Sequence, residues 1–295
     1  MKHEELTFVS GGVECAAWHF TGEGDALATD AGRPVVVMAH GLAGTMDSGL
    51  QPFAEALAGA GLDVFAFDYR GFGASEGTPR QTVSMAGQLE DYRAAMSAAA
   101  RLPGVDPQRL VLWGVSLAGG HVISAAVGRD DVAAVVALTP LVDGLAAGRH
   151  ALTNHTKAEM LRSTVAGFRS KLGKPVMMPV VAGPGELGAL TLDGAMADYL
   201  AIAGPTWRNE IDATVGMELG AHRPIKVAEQ VACPSLFQVA DFDRSAPPQS
   251  SMKAAFKARA EVRHYPCDHF DVYAGKDWHS AVVAHQVAFL TRVLG

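Results

Sequence analysis

Cysteine, positive charge and long apolar runs are all scarce in this sequence. Only three cysteines occur in 295 residues, and Cys15, Cys233 and Cys267 are too scattered for a disulfide framework or a zinc site. Acidic residues outnumber basic ones by 31 to 24, which gives a net charge of −7. Because no basic run accompanies it, this balance argues against a nucleic-acid partner. The few cysteines favour a reducing compartment.

No segment has the properties of a membrane anchor. The opening stretch, MKHEELTFVSGG, carries early acids and lacks the apolar core of a signal peptide. The longest apolar stretch, 132–142, is interrupted by Thr139-Pro140 and is too short to cross a bilayer. We therefore expect a cytoplasmic protein without a membrane partner.

Strand-like and helix-like segments alternate through most of the chain. Hydrophobic residues make up 49% of it, as in folded globular proteins. The apolar runs predict strands at 34–41, 62–71, 109–116, 132–140, 233–241 and 260–266. Helices are predicted at 51–60, 82–101, 117–127, 249–260 and 277–294. Fully apolar strands separated by helices predict an α/β fold, with a mostly parallel central sheet covered by helices on both faces.

The alternation is interrupted in the middle of the chain. Residues 144–228 contain several methionines and glycine pairs but no convincing strand. We interpret them as an inserted helical cap between two parts of one core, 1–143 and 229–295. The early part of the insertion is basic, which indicates a solvated helix face more than a site for an acidic group. Its basic residues are Arg149, His150, His155, Arg162, Arg169 and Lys171.

Ser116 lies in LVLWGVSLAGGHVISAA, where a predicted strand meets a predicted helix. Gly114 before it and Gly119-Gly120 after it are the small neighbours that a strained nucleophilic turn requires. Ala118 replaces the glycine that is usual in the Gly-x-Ser-x-Gly signature. A serine at this junction is also a common and chemically inert helix N-cap. The local pattern alone leaves both interpretations open.

A catalytic serine needs a histidine base and an acid that orients it. His269, in YPCDHFDVY, is the predicted base because it follows the last strand in a turn. Asp243 is favoured as the acid, since Pro247 follows it and opens a helix. Asp241, directly after the strand, and Asp143, after the fourth strand, are the alternatives.

Two backbone N–H groups usually stabilise the oxyanion of acyl transfer. Leu117, at the start of the helix after Ser116, is one predicted donor. Leu42, in HGLAG, is the other, with Gly41 and Gly44 allowing an unusual backbone. His40 is interpreted as a brace for this loop.

The segment RGFGASEG resembles a dinucleotide-binding loop only superficially. Its glycines, Gly71, Gly73 and Gly77, have the wrong spacing, and Pro79 stands where the phosphate-binding helix would run. We therefore expect neither a cofactor nor a metal.

Taken together, HGLAG, FDYRGFGASEG, GVSLAGG, ADFDRSAPP and CDHFDVY resemble the α/β-hydrolase superfamily in their order and spacing. More narrowly, they are similar to bacterial hydrolases of the serine-aminopeptidase-like and Xaa-Pro-dipeptidyl-peptidase-like groups with a helical cap. The resemblance covers the core on both sides of the insertion, nearly three-quarters of the chain. It implies a triad of Ser116, Asp243 and His269, oxyanion donors at Leu42 and Leu117, and supporting positions at His40, Gly41 and Gly114.

The resemblance implies a serine hydrolase that forms an acyl-enzyme on Ser116. A carboxylic ester of a small or medium apolar acid is the expected small-molecule substrate. Thioesterase, lactonase, C–C bond hydrolase and acyltransferase activities remain alternatives, as does a non-catalytic binding module. Phe168, Met177, Met178 and Trp207 are candidate pocket residues. The segment TWRNEI (206–211) is similar to cap segments of related hydrolases but has no predicted role, and we leave open whether the chain forms a homodimer.

Overall fold

An eight-stranded sheet forms the centre of the computed structural model, which describes residues 2–154, 156–173 and 175–295. His155, one of the basic residues of the insertion, lies outside the described residues. The strands are β1 (Glu4–Ser10), β2 (Val13–Phe20), β3 (Arg33–Ala39), β4 (Asp63–Phe67), β5 (Val105–Val115), β6 (Val132–Leu138), β7 (Met177–Met178), β8 (Ile211–Asp212), β9 (Ser235–Ala240) and β10 (Glu261–Tyr265). The helices are α1 (Gln51–Gly59), α2 (Met85–Ala99), α3 (Leu117–Ala126), α4 (Gly144–Asn154), α5 (Lys157–Leu172), α6 (Ala195–Ile202), α7 (Val215–Ala221), α8 (Pro248–Lys257) and α9 (His279–Leu294).

The strands lie across the main sheet in the order β1-β2-β4-β3-β5-β6-β9-β10. The pairs β1–β2 and β2–β4 are antiparallel, and every other neighbouring pair is parallel. Helices α1 and α9 contact each other, and so do α2 and α3, and all four pack against strands of the sheet. Because both faces are covered, β3, β4, β6 and β9 are apolar runs with almost every residue buried. The predicted α/β class and mostly parallel sheet are confirmed.

The antiparallel edge was not predicted. β1 and β2 form a hairpin whose turn contains Gly11 and Gly12, both with positive φ. Two short runs joined by a Gly-Gly turn are a recognisable hairpin signal, but these strands are only half buried and lack a long apolar run. The insertion also contains a short strand pair, β7–β8, where none was expected.

The insertion leaves and re-enters the core at one place. The N–H of Gly144 donates to the carbonyl oxygen of His222 at 2.8 Å. On the core side of this bond, Arg223 pairs with Asp143 at 2.9 Å. These contacts join residues at the start of the predicted insertion to residues near its predicted end at 228. No helix in the described part of the chain is long and apolar enough to span a bilayer.

Candidate active site

Ser116 directly follows β5 in a backbone conformation that non-glycine residues rarely adopt. Its φ is 57° and its ψ is −116°, and its side chain makes no capping hydrogen bond to α3. An ordinary N-cap serine has extended φ/ψ and caps the helix with its hydroxyl, so Ser116 does not behave as one. The end of β6 and the residues after it fix the turn: the N–H of Ser116 donates to the carbonyl oxygen of Leu138, and its own carbonyl oxygen accepts from the N–H of Leu141. A strained turn that leaves the hydroxyl uncommitted is typical of functional sites.

The turn depends on close backbone approach at Gly114. A Cβ added there would lie 2.3 Å from the carbonyl oxygen of Ala118. The start of α3 therefore packs directly onto β5, and any side chain at 114 would push the helix away. Ala118 itself is fully buried at this contact, and its methyl group is accommodated.

His269 and Asp243 form a buried hydrogen-bonded pair. Nδ1 of His269 lies 2.6 Å from Oδ2 of Asp243, and both side chains are almost completely buried. The other carboxylate oxygen accepts from the N–H groups of Ser245 and Ala246. Since a carboxylate only accepts, Nδ1 carries the hydrogen and Nε2 is left as the basic nitrogen.

The pKa of His269 is raised above its usual value of 6.5. Burial by itself opposes the charged form, but the nearby carboxylate and hydrogen bond of Asp243 outweigh it, with a further contribution from Asp268. The arrangement stabilises an imidazolium at this position, as a general base requires.

The two alternative acids have other partners. Asp241 is partly exposed and lies 2.7 Å from Nδ1 of His264. Asp143 caps the start of α4 through the N–H groups of Leu145 and Ala146, in addition to its ion pair at the base of the insertion. Of the three candidate acids, Asp243 is the one that bonds His269.

The loop after β3 approaches Ser116 from the other side. Gly41 is needed for space, because a Cβ there would lie 2.9 Å from Cβ of Ser116. The left-handed residue of the loop is Ala43, with φ 53°, so the expectation that Gly41 and Gly44 supply the unusual backbone is wrong. Leu42 borders the same cavity as Ser116. Leu117 is the first residue of α3, and its N–H has no acceptor within the helix.

His40 is a buried, neutral residue behind this loop. Its Nδ1 donates to the carbonyl of Gly41 at 2.9 Å, and its ring packs edge-on against Tyr69. Burial lowers the pKa of His40 to about 4, although the Gly41 carbonyl favours the charged form. These contacts agree with its interpretation as a brace.

Residues of the insertion also hold the loop after β3 in place, through contacts that the sequence does not predict. The hydroxyl of Tyr199 donates to the carbonyl oxygen of Leu42 at 2.8 Å. Nearby, the N–H of Gly204 donates to Ser48, and the N–H of Thr206 donates to Asp47. Thr206 begins the TWRNEI segment, which therefore contributes to fastening the insertion onto the loop.

Ser116 and His269 border one cavity of about 620 Å³ between the core and the insertion. Of the predicted pocket residues, Phe168 and Met178 border it. Met177 is instead exposed, because neighbouring residues of a strand point to opposite faces. Trp207 packs against the ring of Tyr199 and braces it rather than lining the cavity. Methionines that were not proposed for the pocket, Met160 and Met217, also line it.

Comparison with known proteins gives a consistent result. Residues 30–269 match the family model described as serine aminopeptidase, S33. The quorum-quenching protein AidA of Acinetobacter baumannii is 33% identical over 98% of this chain and 95% of its own length. The thiohydrolase aneE of Aspergillus aculeatus is 32% identical over 52% of this chain and 49% of its own length. Among solved structures, the α/β hydrolase GrgF from Penicillium sp. sh18 superposes with a TM-score of 0.78 at 21% identity, covering 100% of this chain and 99% of that one.

Proposed function

The chain belongs to the serine aminopeptidase S33 family of α/β hydrolases, and on that premise we propose that it hydrolyses a carboxylic ester through an acyl-enzyme on Ser116. Residues 144–228 serve in this proposal as a cap that covers the site and selects the substrate. Ser116 is the nucleophile, His269 the base and Asp243 the acid that orients it.

In the first half-reaction, Nε2 of His269 takes the hydroxyl proton as Oγ of Ser116 attacks the acyl carbonyl carbon. The carbonyl π electrons move to oxygen and form an oxyanion, which the N–H groups of Leu42 and Leu117 stabilise. Collapse of this intermediate expels the alkoxide, which takes the proton from His269. Asp243 stabilises the transient imidazolium throughout.

In the second half-reaction, water replaces the alcohol. His269 removes a proton from the water as its oxygen attacks the acyl-serine carbonyl. The second oxyanion collapses, the proton returns to Oγ of Ser116, and the carboxylic acid leaves. The enzyme is then in its starting protonation state.

One observation carries the proposal. Ser116 has a positive φ and a side chain free of capping, and it borders the same cavity as His269, whose Nδ1 lies 2.6 Å from Asp243. A helix cap requires neither this backbone conformation nor a buried histidine–carboxylate pair. Nucleophilic catalysis requires both a positioned nucleophile and an oriented base.

The cavity supports an apolar acyl group. Its volume lies in the range of small-molecule sites, and the insertion contributes Met160, Phe168, Met178 and Met217, which form a pliable lining. A thioester is the second candidate, favoured by the thiohydrolase name of one relative. Lactones belong in the same test, because a lactone is a cyclic carboxylic ester and presents the same carbonyl carbon to Ser116.

The proposal is tested with a fluorophosphonate probe on the parent protein and on Ser116→Ala. We expect the parent to be labelled and the variant to be unlabelled, while Ser97→Ala, at an exposed position on α2, is labelled like the parent. Ester, thioester, lactone and amide panels then rank the substrates. An unlabelled parent would identify a binding module, and labelling followed by transfer to an added alcohol or amine instead of water would identify an acyltransferase.

A further inference from the structure

Helix α5 turns large apolar side chains toward solvent. Leu161, Val165, Phe168 and Leu172 are 63%, 46%, 55% and 85% exposed. They are spaced by four, three and four residues, so at about 100° per residue they form one narrow stripe along the helix. The buried side of the helix carries the small residues Ala166 and Ser170 instead.

This arrangement inverts that of an ordinary surface helix, whose apolar stripe faces the core. None of the four side chains belongs to the hydrophobic core of the described residues. Single exposed apolar residues are common, but a contiguous row of four on one helix indicates a surface that another body covers.

The stripe is flanked by positive charge on both sides. At the same helical spacing, Arg162 and Arg169 fall along one edge and Lys171 along the other, and all three residues are exposed. The one acid of the helix, Glu159, lies toward the buried side and bonds the N–H of Thr156. The basic residues of α5 therefore stand out in a chain whose net charge is −7.

We propose that α5 docks onto an anionic lipid surface, with its apolar stripe in the interface and its basic residues against the headgroups. An apolar stripe with cationic edges is the pattern of helices that lie in the plane of a membrane, and each basic residue near an anionic surface adds to the attraction. No described helix is long and apolar enough to cross a membrane, and surface docking needs no such helix.

A second copy of the chain fits the stripe less well. Two copies joined through α5 would bring Arg162, Arg169 and Lys171 toward the same groups of the partner. Four partly exposed side chains also offer only a few hundred Å², below the roughly 800 Å² per partner of a stable interface. An anionic bilayer would pair with the basic residues of α5, and, unlike a protein partner, it does not need a surface of complementary shape.

The docking face adjoins the candidate active site. Phe168 belongs to the stripe and also borders the cavity that contains Ser116. A hydrophobic substrate dissolved in the bilayer would therefore meet the cavity where the helix touches the lipid. This consequence rests on the proposed hydrolase function, whereas the docking itself does not.

Binding is measured by co-sedimentation of the full chain with vesicles of phosphatidylcholine alone and with equimolar phosphatidylcholine and phosphatidylglycerol. Ser116→Ala is used beside the parent, so that a failure of the proposed chemistry cannot affect the readout. We expect both proteins to bind the anionic vesicles, to bind the neutral ones far more weakly and to be released by salt.

Charge variants separate α5 from the rest of the surface. Arg169→Gln with Lys171→Gln should weaken binding to anionic vesicles roughly 30-fold. Lys253→Gln with Lys257→Gln removes the same charge from exposed positions on α8 and should leave binding unchanged.

Variants of apolar residues test whether the stripe on α5 contributes to binding more than exposed apolar residues elsewhere. Leu172→Ser should weaken binding about tenfold, whereas Phe256→Ser on α8 should not, although both side chains are 85% exposed. Thermal unfolding of each variant confirms that the fold is retained. Absence of binding, equal binding to neutral vesicles, or equal losses in the α8 controls would overturn the proposal. A dimer that Leu172→Ser dissociates would also overturn it, because a second copy would then cover the stripe.

Discussion

The hydroxyl of Tyr199 donates to the carbonyl oxygen of Leu42 at 2.8 Å and so joins residues 157 positions apart in the chain. The Tyr199 ring packs between Trp207 and Phe270, which directly follows His269 in sequence. One buried side chain of the insertion thus contacts both the loop proposed to hold the oxyanion and the neighbourhood of the proposed base.

Removing this hydroxyl tests whether the insertion positions the loop. We expect Tyr199→Phe to lower kcat about fivefold with little change in KM, because a hydrogen bond worth about 1 kcal/mol no longer fixes the loop. Tyr265→Phe is the matched control, since its buried hydroxyl bonds Gln238 and His285 within the core. Equal losses of kcat in the two variants would mean that general destabilisation is responsible.

Asp243→Asn should lower kcat by about 10⁴-fold, because the amide can present a donor to Nδ1 and favour the wrong tautomer of His269. Asp241→Asn should change kcat little, since its partner is the half-exposed His264. Steady-state rates on the best ester measure both. A larger loss of kcat in Asp241→Asn than in Asp243→Asn would show that Asp243 is wrongly assigned as the acid of the triad.

The raised pKa of His269 predicts the acid limb of the rate profile. The base must be neutral, so kcat/KM should fall as the pH is lowered, with an apparent pKa above 6.5. In Asp243→Asn the ring of His269 stays buried but loses its carboxylate partner. The apparent pKa of the acid limb should therefore fall below 6.5. An unshifted limb in the variant would assign it to another group.

Ala118→Val tests the strained turn. The added methyl groups enter a fully buried contact between α3 and β5, and overpacking of this kind costs about 1–3 kcal/mol. We expect a comparable stability loss in Ala125→Val, another buried position on α3, but a large drop in fluorophosphonate labelling rate only at 118. If Ala118→Val is labelled at the same rate as the parent, the strained turn is not what positions the hydroxyl of Ser116.

Buried His40 should make the fold acid-sensitive. Its pKa is about 4 in the folded state against 6.5 in the unfolded chain, so between these values the unfolded chain binds more protons and stability falls as the pH falls. His40→Asn keeps a donor for the Gly41 carbonyl but does not titrate. From pH 7 to pH 5, the difference between parent and variant in free energy of unfolding should shrink by about 2 kcal/mol, as urea titrations at the two pH values would show. A constant difference would mean that His40 titrates alike in both states.

The sequence predicts those parts of the molecule that local patterns determine. The buried strands β3 and β6 are continuous apolar runs, and the positions of His40, Ser116 and His269 after parallel strands follow from the fold class. The backbone at Ser116 is consistent with the spacing of its small neighbours.

The parts that the sequence does not predict depend on contacts between distant segments. Nothing near Leu42 indicates that Tyr199 will reach it, because the packing of the insertion onto the core determines that bond. The face of a two-residue strand such as β7 has no periodicity to reveal it, so Met177 and Met178 could not be distinguished. Gly41 and Gly44 indicate an unusual backbone in their loop because glycine is the most permissive residue, and nothing in the sequence indicates that Ala43 between them has the positive φ.

The N–H of Gly144 donates to the carbonyl oxygen of His222, so the first residue of the proposed cap lies beside a residue close to its other end. Changing the length of a segment between fixed ends adds little closure entropy, so we expect that this segment can be exchanged without disturbing the sheet. A foreign cap grafted between Asp143 and Arg223 would inherit a competent junction. On the proposed mechanism, we expect it to change the substrate range and to support the full rate only if it also supplies a hydroxyl to the carbonyl of Leu42. We therefore expect substrate range to depend on the residues that line the cavity, and rate to depend also on the hydrogen bond between Tyr199 and Leu42.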